Sequence, residues 1–391
     1  MLSPKACLPA LITKQIQNIQ QQPIVAIKNL NIMTETKNVC GLNKEEFRTT
    51  VNGKQTDLYI LRNSNGCECA ITNYGGAIVS LMVPDKDGNM QNVIQGHSNI
   101  QDVINSQEVY LSTLIGRFGN RICKGQFTLH GKDYQLACND GPNHLHGGPK
   151  GYHAQVWEAI QMGDNMLALS LTDPYGREGF SGEVRINVEY TWTDDNELKI
   201  DYLATTNKQT IINLTHHAFF SLTGLGNPTP TVDDLICEVN ADFYLPIDAT
   251  SIPTGEILKV EGTPFDFRTP KKIGLEINAD NEQIRNGSGY DHNFVLNKRE
   301  VGELSFAARI TDPQSGRTME CWTTEPGLQV YTGNFQTNYP IQTGFTAQRR
   351  SAICLEAQHF PDSPNRPYFP STVLHPGQRY RQTTIYKFGV K

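Results

Sequence analysis

The sequence has no long hydrophobic run and no excess of basic residues. No apolar stretch approaches the roughly 18–20 residues that a membrane-spanning helix needs, which argues against a membrane protein. The 34 lysines and arginines are outnumbered by 40 acidic residues, so the formal net charge is −6. Because nucleic acids bind to basic surfaces, this balance argues against nucleic acid as the main partner.

Cysteine is sparse and has no pattern typical of a disulfide framework or a metal site. The nine cysteines are an odd number and lack a repeated spacing. Cys67 and Cys69 flank a single residue in strand-like sequence, which differs from the C-x-x-C spacing of redox motifs and zinc knuckles. We therefore expect free thiols and a cytoplasmic location.

The first 34 residues contain three lysines and no acidic side chain, and they include a glutamine-rich patch between Gln15 and Gln22. They lack the arginine and serine content of a transit peptide and the long apolar centre of a secretory signal. We interpret residues 1–45 as a disordered extension. An upstream start before a natural first residue at Met33, or a targeting role, remains an alternative.

Long helical periodicity is absent, and residues 46–391 read as strands and turns. Apolar residues occupy every second position from Val184 to Trp192, the pattern of a half-buried strand. After the turn Asp194–Asn196 the alternation resumes from Leu198 to Ala204, which predicts a hairpin. Two more hairpins are predicted around 85–89 and 131–132, and Ile100–Ile104 is at most a short helix.

The 33 glycines and 21 prolines are spread evenly and supply the turns that a strand-rich fold needs. Neither a linker nor an internal repeat interrupts the chain after Met33. We therefore predict one large antiparallel β-sandwich domain over residues 46–391, with few short helices.

Polar side chains of catalytic type cluster in short segments flanked by glycine, proline or asparagine, where binding residues usually lie. Together they supply arginine, histidine and carboxylates, without a strong nucleophile or a phosphate loop. The five segments are 116–121, 143–148, 213–217, 290–294 and 355–358.

The histidines allow two interpretations. His144 and His146 form an H-x-H pair that would share one face of a strand, and such a pair can bind a metal. A complete ligand set is missing, however, because the next acid is Glu158. His217 lies at a polar break before Ala218-Phe-Phe, where it is either a packing residue or a proton donor and acceptor.

Two acids also allow two interpretations. Glu356 interrupts an apolar strand, so its carboxylate either meets a cation or lines a cavity, since an unpaired buried charge is costly. Asp291 lies in Tyr-Asp-His-Asn, where its residue type alone favours an Asx turn.

These segments resemble, in sequence order from about Glu46 to the C-terminus, the motifs of the aldose 1-epimerase (galactose mutarotase) family. A single match would be weak, whereas this many in order is specific. The matching stretches are Gly116–Ile122 (G-R-x-x-N-R-I), Asn143–Gly148 (L-H-G-G), Tyr290–Phe294 (Y-D-H-N-F), Pro326–Asn334 (P-G-x-Q-x-Y-T-G-N), His359–Asn365, Phe369–Ser371 and Gln382–Tyr386.

The resemblance implies a β-supersandwich fold and a cleft for a free hexose such as D-galactose or D-glucose. It implies that His217 is the general acid and Glu356 the general base, with His146 assisting at the reacting centre. Sugar hydroxyls would be held by Asn120, Arg121, Asp291 and Gln329. Two positions depart from the family, which usually has asparagine where His216 and Ser221 stand.

The residue types fit an exchange of anomers. A hemiacetal ring opens when a base takes the proton of the anomeric hydroxyl and an acid protonates the ring oxygen, each contributing ~10²–10⁴-fold. The ring then recloses on the other face. No group or electron leaves the sugar, so we expect no cofactor and no metal. We also expect a monomer or weak dimer.

Other functions remain open at this stage. A glycoside hydrolase would use Asp291 and Glu356 as its two carboxylates and leave His217 without a task. A non-catalytic sugar-binding protein could share the same fold. A relative acting on hexose 6-phosphates would need further cations near the cleft, and we identify none.

Overall fold

The computed structural model describes residues 38–226, 230–342 and 344–391. Residues 38–391 form one compact unit. Of the extension predicted over 1–45, residues 1–37 lie outside the described residues. Residues 38–45 belong to this unit, and Leu42 is buried there beside Phe47. None of the described helices is long and apolar enough to span a membrane.

Strands dominate the described residues, as the alternating sequence pattern predicts. In chain order they are β1 Thr50–Val51, β2 Lys54–Gln55, β3 Leu58–Arg62, β4 Glu68–Thr72, β5 Ile78–Pro84, β6 Met90–Asn92, β7 Leu114–Ile115, β8 Arg121–Ile122, β9 Gln126–Leu129, β10 Lys132–Gln135, β11 His144–Leu145, β12 Glu158–Met162, β13 Met166–Asp173, β14 Val184–Trp192, β15 Glu197–Thr206, β16 Thr210–Ile211, β17 Thr215–His216, β18 Ile236–Val239, β19 Ala241–Tyr244, β20 Leu258–Lys259, β21 Lys271–Lys272, β22 Asp291–Leu296, β23 Ser305–Thr311, β24 Arg317–Thr323, β25 Gly327–Tyr331, β26 Tyr339–Pro340, β27 Thr346–Ala347, β28 Cys354–Gln358, β29 Val373–Leu374 and β30 Tyr380–Val390.

Helices are few and short in the same residues. The two α-helices are α1 Ile100–Ile104 and α2 Glu282–Asn286, each capped by an asparagine side chain. Single turns of 3-10 helix occur at Lys44–Phe47, Cys123–Gly125, Tyr152–Ala154, Arg177–Gly179, Val232–Asp234, Ile273–Leu275 and Ser363–Asn365.

The largest sheet has nine antiparallel strands in the order β12-β13-β14-β15-β30-β24-β23-β18-β21. The hairpin predicted from Val184 to Ala204 is confirmed as β14 and β15, which are paired along their length. Burial alternates along β14, as the apolar period requires. The hairpins predicted around 85–89 and 131–132 are confirmed as β5–β6 and β9–β10.

Two smaller antiparallel sheets complete the sandwich. One has the order β20-β19-β22-β25-β28 and the other β3-β4-β5-β6. Apolar residues of all three sheets belong to one core, for example Leu169 of the nine-stranded sheet, Leu328 of the five-stranded sheet and Ile71 of the four-stranded sheet. The predicted all-β sandwich is confirmed. The five-stranded sheet brings the carboxylates of the candidate site together.

The cysteines of the described residues are all unpaired, in agreement with the expected free thiols. Cys67 and Cys69 are both buried in the core, where burial raises the pKa of the Cys67 thiol to about 11.

Candidate active site

A cavity of about 460 Å³ opens over one edge of the five-stranded sheet. Six of the seven predicted site residues line it: Asn120, Arg121, His146, His217, Asp291 and Glu356. The register of the five-stranded sheet explains why side chains from three of its strands lie near each other at the cavity. Gln329 of β25 pairs with Glu356 of β28, and Tyr331 pairs with Asp291 of β22, so alternate side chains of three strands share one face.

His217 and Glu356 face each other at the floor of the cavity. His217 Nε2 lies 3.7 Å from Glu356 Oε1, and both side chains are almost fully buried, at 8% and 2% exposure. The imidazole stacks on Phe219 with ring centroids 4.7 Å apart. Its Nδ1 lies 3.4 Å from the Cys354 sulfur. The ring is therefore held in place by its contacts with Phe219 and Cys354.

His216 points away from this cavity. Its Nε2 lies 3.3 Å from the Gly76 carbonyl oxygen, and its ring packs edge-on against Tyr190 in the core. Adjacent residues of an extended segment project to opposite sides, which separates His216 from His217. The departure from the family at this position therefore lies outside the cavity.

Burial acts in opposite directions on the two facing groups. It raises the pKa of the Glu356 carboxyl well above its ordinary value, with the Asp291 charge adding to the rise. It lowers the pKa of His217 to about 3. Burial therefore favours the neutral form of both groups in the sugar-free protein. The Glu356 Oε2 atom has no hydrogen-bond partner among the described residues.

His146 has a defined tautomer. Its Nδ1 accepts a hydrogen bond from the Asn120 N–H at 3.1 Å, so in the neutral ring the proton lies on Nε2. Burial and the neighbouring His217 lower the pKa of His146, which keeps the ring neutral. The imidazole is thus a hydrogen-bond donor towards the cavity.

This tautomer bears on metal binding. One nitrogen or oxygen of each of His146, His217 and Glu356 lies within 4.8 Å of the others, a spacing that could hold an ion. A metal ligand needs a free lone pair, and His146 Nε2 carries the proton. The H-x-H pair does not share a face either. His146 has φ of 54°, while His144 Nδ1 lies 2.8 Å from the Ala137 carbonyl oxygen.

One wall of the cavity is an ion-pair network around Arg121. Its Nε donates to Asp140 Oδ2 at 2.7 Å, and its Nη1 lies 3.9 Å from Asp291 Oδ2. Burial raises the pKa of Asp291, and the Arg121 charge opposes that rise. Asn120 adopts φ of 65° and accepts a hydrogen bond from the Arg121 N–H through its own Oδ1. These groups present donors and acceptors that suit hydroxyl groups.

Gln329, the seventh predicted residue, does not line the cavity. Its Nε2 donates to Asp291 Oδ1 at 2.7 Å, a hydrogen bond that orients the carboxylate. Asp291 is thus held between Gln329 and Arg121 instead of forming the Asx turn that its residue type favours.

The segment that carries Asn120 and Arg121 is anchored by a buried ion pair. Arg117 is 1% exposed and donates to Asp173 Oδ2 through Nε and Nη2, at 2.8 and 2.6 Å. The Tyr152 hydroxyl donates to the same oxygen at 2.9 Å. A charge-assisted network of this kind holds the loop rigidly enough to position the arginine and the asparagine that follow it.

Sequence reasoning missed several residues of the cavity wall. Glu108 and Tyr110 precede the first motif, Asp140 precedes the second, Tyr331 lies within the fourth and Phe335 follows it. Tyr110 packs edge-on against His146 at 4.7 Å and stacks on His217 at 6.2 Å. The available signal was membership of a quoted motif for Tyr331 and closeness to a motif for Asp140 and Phe335, whereas Glu108 and Tyr110 carried no local pattern.

The chain is similar to known sugar epimerases over most of its length. A family model described as aldose 1-epimerase matches residues 57–387. Galactose mutarotase of Sus scrofa is 40% identical over 321 residues, which cover 82% of this chain and 90% of that protein. Aldose 1-epimerase of Escherichia coli K12 is 33% identical over 338 residues, covering 86% and 96%.

Solved structures of epimerases are also similar to this chain. An aldose epimerase homologue from C. elegans has a TM-score of 0.79 at 28% identity, covering 86% of this chain and 99% of its own. Galactose 1-epimerase from Lactobacillus acidophilus has a TM-score of 0.76 at 28% identity, covering 88% and 97%. With the family match spanning most of the sequence, the chain belongs to the aldose 1-epimerase family.

Proposed function

We propose that this protein interconverts the α and β anomers of D-galactose and D-glucose, with Glu356 and His217 as its acid–base pair. As a member of its family the chain is an enzyme of the isomerase class that exchanges the anomers of free hexoses. The observation that carries the residue assignment is the 3.7 Å approach of His217 Nε2 to Glu356 Oε1 at the floor of the cavity.

The proton transfers follow from this geometry. One proton shared by the pair is sufficient, because moving it from the carboxyl group to the imidazole gives a carboxylate base and an imidazolium acid. Glu356 then takes the proton of the anomeric hydroxyl while His217 protonates the ring oxygen. After rotation about the bond to the open aldehyde carbon, the ring recloses and both transfers run backwards. The protein ends each turnover in its starting state.

The surrounding residues hold the sugar and its developing charge. His146 donates from Nε2 towards the reacting centre, since its Nδ1 accepts the Asn120 N–H. Arg121, Asn120 and Asp291 bind sugar hydroxyls along the wall. Gln329 acts by orienting Asp291. Preorganised donors in a water-poor cavity stabilise charge more effectively than water does.

The alternative functions are not favoured. Asp291 is tied to Gln329 and Arg121, which leaves it poorly placed as a second hydrolytic carboxylate. Arg121 is the one lysine or arginine in the cavity lining, against four acids, so a sugar phosphate would be repelled. The curated relatives are epimerases and mutarotases rather than hydrolases.

The unpaired cysteines of the described residues support a cytoplasmic location, where thiols stay reduced. We propose a monomer or weak dimer, which light scattering across a concentration series would test.

Polarimetry tests the central proposal. Freshly dissolved α-D-galactose and α-D-glucose should reach anomeric equilibrium faster with the protein than without it, in proportion to enzyme concentration. Equal rates with and without the protein for both sugars would contradict the proposal.

A further inference from the structure

Glu108 places an unpaired carboxylate in the cavity wall. It lies in the loop between α1 and β7, and it is half-buried. Its side chain accepts one weak hydrogen bond, from the Tyr110 N–H at 3.3 Å. Within the described ranges, none of the ion pairs involves Glu108. The Glu108 charge raises the pKa of several neighbouring groups, none of which is a cation: Tyr110, Tyr331, Tyr339, Cys354 and Glu356.

The cavity as a whole has a deficit of positive charge. Its lining contains the acids Glu108, Asp140, Asp291 and Glu356. The Arg121 guanidinium forms ion pairs with two of these acids, Asp140 and Asp291. His146 and His217 are neutral because burial lowers the pKa of each. The Arg121 charge also lowers the pKa of Glu356, whereas no cation among the described residues affects the pKa of Glu108.

A second observation points to a ligand that supplies this charge. Glu356 is 2% exposed and lines the cavity, yet its Oε2 has no hydrogen-bond partner among the described residues. Burial also raises the pKa of Glu108 to about 7. The sugar-free cavity reduces its internal repulsion by keeping protons on these carboxyl groups. A bound cation would relieve the repulsion directly and favour the ionised carboxylates.

We propose that Glu108 makes this cavity accept hexoses that carry a protonated amino group, the free hexosamines, as a further class of substrate. The same carboxylate discriminates against hexoses that carry an anionic group. This inference rests on the proposed function, because the ammonium group takes no part in the reaction. Ring opening and reclosure use the same two proton transfers between the sugar and the pair Glu356 and His217.

A neutral hexose alone does not account for Glu108. Hydroxyl groups are bound equally well by the neutral polar side chains already present, such as Tyr110 and Asn120. A carboxylate held away from every cation is costly unless a ligand compensates it. The ammonium group of a hexosamine does so with a charge-assisted hydrogen bond.

The test compares the epimerisation of D-galactosamine, D-galactose and D-galacturonate by polarimetry or NMR at neutral pH and low salt. The wild-type protein should act on D-galactosamine, and much less on D-galacturonate. Glu108→Gln preserves size and hydrogen bonding but removes the charge. We expect it to lower the ratio of kcat/KM for D-galactosamine to that for D-galactose about tenfold, mainly through KM. Added salt should lower the wild-type ratio as well.

Asp102→Asn is the matched control, because it removes the same charge from an exposed position on α1. Its substrate ratio should equal that of the wild type. An unchanged ratio in Glu108→Gln, or a wild-type protein that epimerises D-galactose but not D-galactosamine, overturns the inference and leaves the proposed function intact. Failure to act on either D-galactose or D-glucose overturns the proposed function itself, because that function requires at least one of them to be a substrate.

Discussion

His217 Nε2 and Glu356 Oε1 lie 3.7 Å apart. His217 directly follows β17, and Glu356 lies in β28, the last strand of the five-stranded sheet. Each side chain is held by its own surroundings, the imidazole by Phe219 and Cys354 and the carboxylate by the register of β28 with β25. The two groups are close without a hydrogen bond between them, and both line the cavity, so each is free to bond to a ligand there.

Replacing the carboxyl group should abolish turnover without unfolding the protein. Glu356→Gln retains size and hydrogen bonding, but an amide neither takes nor gives a proton at neutral pH. We expect kcat to fall ~10²–10⁴-fold in polarimetric assays. Circular dichroism and sugar binding by calorimetry should match the wild type. Near-normal turnover in a folded Glu356→Gln protein would contradict the assignment of the base.

The two adjacent histidines should respond differently to the same substitution. His217→Asn removes the proton donor of the cavity and should severely impair kcat. His216→Asn changes a core residue beside Tyr190, so we expect nearly normal kcat and a loss of about 1 kcal/mol in stability. Kinetics and thermal unfolding of both variants are the measurements. An inactive His216→Asn beside an active His217→Asn would reverse the assignment.

Local patterns in the sequence predicted the hairpins but not the order of the large sheet. The alternation from Val184 to Ala204 identifies β14 and β15 because burial on one face leaves a period of two. The C-terminal strand β30, however, lies between β15 and β24. That placement depends on contacts between distant segments, and no local pattern encodes it.

The site was predicted to the extent that its residues carry motifs. His217 and Glu356 come from segments far apart in the chain, and resemblance rather than spacing brought them together. Glu108 went unnoticed because an isolated acid near a short helix has no local pattern. Sugar binding by Gln329 stays a prediction. Its amide donates to Asp291, a contact that follows from the pairing of β22 and β25 and that no local pattern encodes.

Asp173 should be a structural support for the candidate site. Asp173→Asn leaves the Arg117 guanidinium buried without its charge partner, so the free energy of unfolding should fall by about 3–5 kcal/mol. Thermal or urea unfolding measures the change. Glu183→Gln removes one partner of an exposed pair with Arg185 and should change stability by less than about 1 kcal/mol. Equal effects of the two substitutions would contradict the role of the buried pair.

Removing divalent metals should leave activity unchanged. His146 Nδ1 accepts the Asn120 N–H, so Nε2 holds the proton and offers no lone pair to an ion. Extensive dialysis against a strong chelator, followed by polarimetry, tests this expectation. A loss of activity that zinc or manganese restores would contradict it and would return His146, His217 and Glu356 to consideration as metal ligands.

The pH dependence of kcat/KM should reflect a pair that holds one proton. Burial lowers the pKa of His217 to about 3, so the pair gains a second proton, and loses its base, only under strongly acidic conditions. Burial raises the pKa of Glu356, so the pair loses its proton, and its acid, as the pH rises through that elevated value. The profile should be a bell with an acid limb well below the ordinary imidazole pKa of about 6.5.

Polarimetry between the pH values at which the protein stays folded provides the measurement. Glu108→Gln is the control for Glu108, whose own pKa is about 7. Its acid limb should match that of the wild type, whereas its basic limb should move to lower pH, because the Glu108 charge raises the pKa of Glu356. An acid limb centred near 6.5 in both proteins would show that His217 titrates as an ordinary imidazole and that the pair does not share its proton in this way.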